Sequence, residues 1–325
     1  MLAMKSHKQL IYEQRCQIHA LKKTGISQTA IAIIVGVSQS TISRELKRNT
    51  GLNGYRHQQA QRLCDQRRRA TYKAFKMTLE RIQCIEEKLF EKWSPEQISG
   101  WLLEAKGYAL SHETIYRHIW KDKQNKGNLY LNLRRKSKPY QSRAKKKAGR
   151  GFIKNRTGIE ERPAVVDDRS RLGDWEIDLV IGKGHNGALV TIVERLTRYT
   201  VSTRINDKSA KTVTAATIAL LLPFKEQVKT ITADNGKEFA YHEEVTEALE
   251  APVYFADPYC SWQRGLNENT NGLLRQYWPK NTNFKHISLE EVANVVSQLN
   301  DRPRKKLKFK TPANKMAEYT AKEAA

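Results

Sequence analysis

The chain has 325 residues, enough for two or three domains with separate cores. Its formal charge of +24 sits almost wholly in the first half: residues 1–160 carry 34 Lys and Arg against 12 Asp and Glu, and residues 161–325 carry 24 against 22. A basic half joined to a near-neutral half points to a polyanion-binding arm on a separate core. No apolar run reaches the ~20 residues that span a bilayer, and the start MLAMKSHKQL lacks an apolar signal region. Cys16, Cys64, Cys84 and Cys260 are scattered without paired spacing, which argues against a zinc finger and for reduced, structural thiols in the cytoplasm.

Residues 1–50 read as a helix-turn-helix domain. A supporting amphipathic helix runs from about Leu10 to Leu21. In SQTAIAIIVGVSQSTISRELKRN, Ser27 caps a helix whose buried stripe is expected at Ile31, Ile34 and Val35, with small Ala32 where two helices pack. Gly36 suits the left-handed turn that ends this helix. Ser38 caps the next, with Ile42 and Leu46 inward. Its outward residues Gln39, Ser40, Thr41, Ser43, Arg44 and Lys47 are donors and acceptors suited to base edges and phosphates of double-stranded DNA.

Residues 51–120 read as a helical region with a second helix-turn-helix-like unit. Ser94-Pro95-Glu96 is a helix start, Ile98, Trp101 and Leu102 form an inward stripe, Gly107 breaks the run, and Ser111 caps a helix containing Ile115 and Ile119. Thr114, Arg117 and His118 are its expected surface readers. Residues 121–163 are expected to be a flexible basic linker: residues 121–150 hold twelve Lys and Arg, one acid (Asp122) and few aliphatics. Contact between such a segment and DNA is steeply salt-dependent.

From residue 164 the pattern becomes strands alternating with helices. GDWEIDLVIG, ALVTIVERLT and YTVSTRI read as three neighbouring antiparallel strands. SAKTVTAATIALLLPF is a helix, VKTITA a fourth strand, HEEVTEALE a helix and APVYFA a fifth strand. Helices from about Leu266 to Trp278 and Leu289 to Asn300 follow. The order β-β-β-α-β-α-β-α is that of an RNase-H-like, integrase-type fold. The expected architecture is therefore all-α helix-turn-helix units followed by an α/β core, residues 164–325, with a mixed five-stranded sheet.

Three acids stand out in that core. Asp178 lies within the first strand, Asp234 follows the fourth, and Glu268 opens a helix, with thirty-three residues between the last two. Such a set can converge on a pair of divalent ions suited to cutting and joining phosphodiesters. Asp174 and Glu176 share parity with Asp178 but are expected at the edge or in solvent, because Asp178 is the most apolar-flanked of the three. Glu268, Asn271 and Arg275 share one helix face, so Asn271 can orient a ligand or phosphate and Arg275 can neutralise DNA. Lys237, Arg195 and Arg198 are weaker phosphate-binding candidates, and DRPRKKLKFKTP adds a basic patch.

WEIDLVIGK, ERLTRY, ITADNGKEF, RGLNENTNGLLRQYWPK and SHETIYRHIW resemble the blocks of bacterial insertion-sequence transposases with a DDE triad, in particular the family named after insertion sequence thirty. The resemblance implies a triad at Asp178, Asp234 and Glu268, two Mg²⁺ (or Mn²⁺) ions with DNA bound, and inverted-repeat and target DNA as partners. Bringing two DNA ends together implies a homo-oligomer on DNA. Two alternatives stay open from the residues alone: a DNA-binding regulator with an inactive core, and a nuclease of the same fold that hydrolyses without joining.

Overall fold

Local capping signals set the helices of the first compact unit, Met1–Lys76. The computed structural model describes residues 9–70, 77–136, 153–258 and 260–323. Helices α1 (Tyr12–Lys23), α2 (Gln28–Val35) and α3 (Gln39–Asn49) lead into a short hairpin, β1 (Thr50–Gly51) and β2 (Gly54–Tyr55), and then α4 (His57–Ala70). Ser27 Oγ accepts from Ala30 N–H and Ser38 Oγ from Thr41 N–H, and such caps are worth about 1 kcal/mol each. Gly36 ends α2 at φ 72°, where a Cβ would be strained.

Ile18, Ile31, Ala32, Val35, Ile42, Leu46, Tyr55 and Ala60 form the core of this unit. Ile34 is 58% exposed, contrary to the expected stripe. At about 100° per residue, Ile31, Ala32 and Val35 already fill the inward arc and Ile34 falls outside it. Ala60 belongs to α4, so the unit continues past residue 50. A buried ion pair crosses it: Arg15 Nε donates to Glu45 Oε1 at 2.9 Å, and the Tyr55 hydroxyl donates to the same oxygen at 3.1 Å.

The second compact unit, Met77–Ala325, opens with α5 (Leu79–Phe90), α6 (Pro95–Lys106) and α7 (His112–Gln124). Ser94 and Gln97 form a reciprocal capping box, and Gly107 ends α6 in the left-handed conformation at φ 68°. Ile85, Leu89, Ile98, Leu102, Ile115 and Ile119 pack between the three helices. Part of the expected linker belongs to this cluster. Residues 121–124 finish α7, and Leu129, in a 3-10 turn (Leu129–Asn132), is buried among the helices while its N–H donates to Asp122. A few aliphatics suffice to anchor a basic stretch when a neighbouring core receives them. Residues 137–152, the centre of that expected linker, lie outside the described residues.

The rest of the unit runs β3 (Thr157–Gly158), α8 (Val165–Asp168), β4 (Asp174–Ile181), β5 (Ala188–Glu194), β6 (Thr200–Ile205), α9 (Ala210–Leu221), β7 (Thr230–Ala233), α10 (His242–Leu249), β8 (Val253–Phe255), α11 (Gly265–Tyr277), α12 (Leu289–Asn300) and α13 (Pro312–Glu323). The sheet is mixed and has six strands, in the order β3-β8-β7-β4-β5-β6. The strand beyond the expected five is β3, two residues paired parallel to β8 within the stretch expected to be linker. Strand β4 runs antiparallel to β5 but parallel to β7, and its ladder with β7 covers only Asp174–Thr230 to Glu176–Thr232.

Helices cover both faces of the sheet. Trp175, Ile177 and Ile231 pack with Val213 and Leu221 of α9 and Val245 and Leu249 of α10. Val180 and Leu189 pack on the other face with Leu273 and Leu274 of α11 and Val292, Val296 and Leu299 of α12. Each such side chain contributes roughly 1.5–3 kcal/mol when fully buried. Among the described residues no helix is long and apolar enough to cross a membrane.

Candidate active site and DNA-reading surfaces

Strand parity puts Asp174, Glu176, Asp178 and Val180 on the face of β4 that meets α11. Asp178 lies opposite Thr191 of β5. Asn271, in the second turn of α11, donates from Nδ2 to Asp178 Oδ2 at 2.9 Å, and its own Oδ1 accepts from the Thr191 hydroxyl at 3.0 Å. Leu179 N–H donates to Asp178 Oδ1 at 2.9 Å. Strand, neighbouring strand and helix thus fix one carboxylate.

Asp234 follows the last residue of β7, and its Oδ1 accepts from Gly236 N–H at 2.8 Å in an Asp-Asn-Gly turn. Its other oxygen lies 3.3 Å from Arg264 Nη2, while Arg264 Nη1 lies 3.4 Å from Asp178 Oδ1 and donates to Ile177 O. Both carboxylates therefore face one cation. Burial pushes the Asp178 carboxyl up, Arg264 opposes that shift, and the charge of Asp234 adds to it. Two carboxylates that already hold one positive charge between them are hard oxygen donors of the kind divalent ions such as Mg²⁺ prefer. The donor set fits such an ion.

Glu268 lies in the first turn of α11, exposed, three residues before Asn271 on the same helix. Among the described residues no three acidic, His or Cys side chains gather closely enough to hold one ion. The geometry brings Asp178, Asp234 and Asn271 together and sets Glu268 on the helix that carries Asn271. Arg275 donates to Ile181 O at 2.8 Å and Pro279 O at 3.3 Å, so its guanidinium ties α11 to the end of β4.

Asp174 and Glu176 correct the expectation of edge or solvent positions, being 1% and 0% exposed. Parity told which face they share, but not that α11 and residues 162–172 cover it. Asp174 accepts from Arg171 at 2.9 and 3.0 Å and from the Thr230 hydroxyl. Glu176 Oε1 accepts from Arg195 Nη1 at 2.6 Å, and its Oε2 accepts from Asn267 N–H at 3.0 Å, at the start of α11. A buried anion thus anchors the positive end of the helix that bears Glu268. Arg195, a candidate phosphate ligand by sequence, is 3% exposed and committed to Glu176. Arg264 was the residue sequence reasoning missed. It stands four before Glu268 in the block RGLNEN, but nothing local says that a cation will sit between two distant carboxylates.

In the first unit, Gln39, Ser40, Arg44 and Lys47 are exposed along α3, and Thr41 and Ser43 are half-buried. Arg44 folds back, donating from Nε to Ser40 O at 3.0 Å, and lines a groove with Arg48, Arg67 and Arg68. On α7, Arg117 is exposed and Thr114 half-buried, whereas His118 is drawn to Glu86 at 2.8 Å and is not a free surface reader.

Comparison with known proteins agrees with this division. A helix-turn-helix domain model matches residues 6–49, and an integrase core domain model matches residues 168–261, a span holding Asp178 and Asp234. The chain is 43% identical over 95% of its length to the transposase of insertion sequence element IS4351 from Bacteroides fragilis, and covers 95% of that protein. It is 39% identical over 93% of its length to the transposase InsI of IS30A from Escherichia coli K12, covering 82% of it. The transposase of IS1086 from Cupriavidus metallidurans is 35% identical, over 97% of this chain and 96% of its own. With a helix-turn-helix model and an integrase core model both matched, and with relatives this similar along most of their length, the chain belongs to the insertion-sequence transposase family named after IS30.

Proposed function

We propose that this transposase binds the terminal inverted repeats of its element and cuts and joins DNA strands at a site built from Asp178, Asp234 and Glu268. The observation that carries the reading is the convergence of Asp178 and Asp234 on one cation, with Asp178 held by Asn271 of the helix that bears Glu268. Gln39, Ser40, Thr41, Ser43, Arg44 and Lys47 on α3 read the DNA, with Thr114 and Arg117 on α7 as a second reading surface. Two ends must be held at once, so the active form is a homo-oligomer on DNA in the cytoplasm.

In the first step a water oxygen attacks phosphorus at the element end and the P–O3′ bond breaks, leaving a 3′-hydroxyl. In the second, that hydroxyl attacks a target phosphodiester, one P–O bond forms as the target's P–O3′ bond breaks, and the proton lost by the hydroxyl is balanced by one taken up by the leaving 3′-oxygen through solvent. Divalent ions of the kind this family uses, Mg²⁺ or Mn²⁺ and two with DNA bound, would be held by Asp178, Asp234 and Glu268 and would supply Lewis acidity. The protein's part is placement. Asn271 and Leu179 N–H orient Asp178, the Asp-Asn-Gly turn orients Asp234, and Glu176 fixes the start of the helix carrying Glu268.

A strand-transfer assay on labelled element-end DNA with Mg²⁺, comparing the wild-type chain with Glu268→Gln, tests this. Joined products from wild type alone are expected. Cleavage without joining favours a hydrolytic nuclease, and tight binding with neither step favours a regulator.

A further inference from the structure

An open groove of about 290 Å³ lies between the start of α6, one flank of α11 and residues 302–309. Lys92, Arg134, Arg198, Arg302, Arg304 and Lys306 line it. The acid on its wall among the described residues, Glu96, is taken by Lys305 at 2.7 Å. Four of the other cations are held by neutral acceptors. Arg302 donates to Gln276 Oε1 at 3.0 Å and to the Tyr277 hydroxyl at 2.7 Å, Arg304 to Leu299 O at 2.8 Å, Arg134 to Asn269 Oδ1 at 3.0 Å and Lys92 to Asn132 Oδ1 at 2.6 Å.

Neutral acceptors fix direction without cancelling charge. Burial, followed by the charges of Arg302 and Arg198, pushes Arg304 down to about 9, and Arg302 Nε is buried without a partner. Acids outside the lining act on it from its margins, Glu91 toward Arg302, Glu268 toward Arg134 and Glu176 toward Arg198. Clustered guanidiniums in a partly dry groove repel one another, and a polyanion removes that cost. A second depression of about 600 Å³ shares Arg198 and Lys306 with the groove and adds Arg169 and Lys308, while its Lys310 is paired with Glu318 at 2.6 Å. Together they make a basic track longer than a single phosphate.

The track lies close to the chemistry. Asn269, Leu273 and Gln276 turn one flank of α11 toward the groove, while Asn271 on the opposite flank holds Asp178. One helix, about 10–12 Å across, separates them. We propose that this groove is a phosphodiester-binding track that seats a DNA backbone beside the carboxylate site, apart from the helix-turn-helix readers. Its placement next to the cut rests on the reading of Asp178 and Asp234 given above; its affinity for DNA does not.

The test uses the full chain, no divalent ion, and two fluorescent duplexes: one carrying the end of its insertion sequence with flanking DNA, one of random sequence. Binding is measured against KCl for wild type and for the double variant Arg198→Asn/Lys306→Ala, asparagine being tolerated at the positive φ of residue 198. Each lost phosphate contact lowers the slope of log affinity against log salt by about 0.9, so a drop of about 1.8 is expected. A drop on the end duplex alone assigns the groove to the element end and its flank, a drop on random DNA alone to the target, and a drop on both to either backbone. An unchanged slope on both overturns the proposal. Should the double variant precipitate, Lys306→Glu at an exposed position decides instead, and no drop there overturns it equally. Because no metal is present, that failure leaves the strand-transfer reading standing, whereas a slope drop with no joined product in the strand-transfer assay would sink that reading and the groove's placement beside the cut, but not its affinity for DNA.

Discussion

Replacing Glu176 with glutamine is expected to weaken the second unit while leaving the first untouched. Glutamine keeps an acceptor for the Asn267 N–H but leaves Arg195 buried without its main counter-charge. Asp167, at 3.4 Å, is largely exposed and compensates little. Breaking a buried pair from one side costs roughly 3–5 kcal/mol, and the retained neutral hydrogen bonds favour the lower end, about 3 kcal/mol. Divided by a urea dependence of about 3 kcal/mol per molar, that is a shift of about 1 M in the unfolding midpoint. Tryptophan fluorescence reads it cleanly, because all six tryptophans (Trp93, Trp101, Trp120, Trp175, Trp262 and Trp278) lie in the second unit. A midpoint within about 0.2 M of wild type, at unchanged slope, would refute the claim that this pair anchors the Glu268 helix.

Arg264→Ala removes the cation between Asp178 and Asp234, so Mn²⁺ binding, followed by the free-ion electron paramagnetic resonance signal, should tighten on the order of tenfold. Equal or weaker binding would show that Arg264 does not compete for that position. Asn271→Ala deletes a hydrogen bond to a charged carboxylate, about 1.5–3 kcal/mol, and should slow strand transfer about tenfold or more. Duplex affinity should stay at the wild-type value, and a matching loss of affinity would mean that Asn271 holds DNA rather than Asp178.

Features carried by short stretches of chain were legible in the sequence. Ser27, Ser38, Ser94 and Ser111 cap, and Gly36 and Gly107 stop, because a cap satisfies backbone groups two or three residues away and needs no distant partner. The strand carrying Asp178 was legible through its β-branched run, and the helix carrying Glu268 through the proline, Pro279, that ends it. What escaped depends on coverage. Glu176 and Asp174 are polar on a strand, and only the arrival of α11 and residues 162–172 turns them into buried anchors. Leu129 sits in a basic stretch with too few aliphatics to signal a core, yet it borrows the core of α5–α7. Strand β3 has two residues and no periodicity to detect. Arg264 is adjacent to its acids only after three separate segments fold together.

The ladder between β4 and β7 ends with Glu176 beside Thr232. Counted two steps further, the same parallel pairing brings Asp178 level with Asp234, just past the point where the strands part. The two acids are thus aligned by residue count along two strands rather than by any local motif they share. A single-residue insertion or deletion within either strand would rotate one acid to the opposite face of the sheet, where α9 and α10 bury apolar side chains. Substitution can tune this centre, but length changes in β4 or β7 dismantle it, whereas the loops beyond those strands can vary in length without moving either acid off its face.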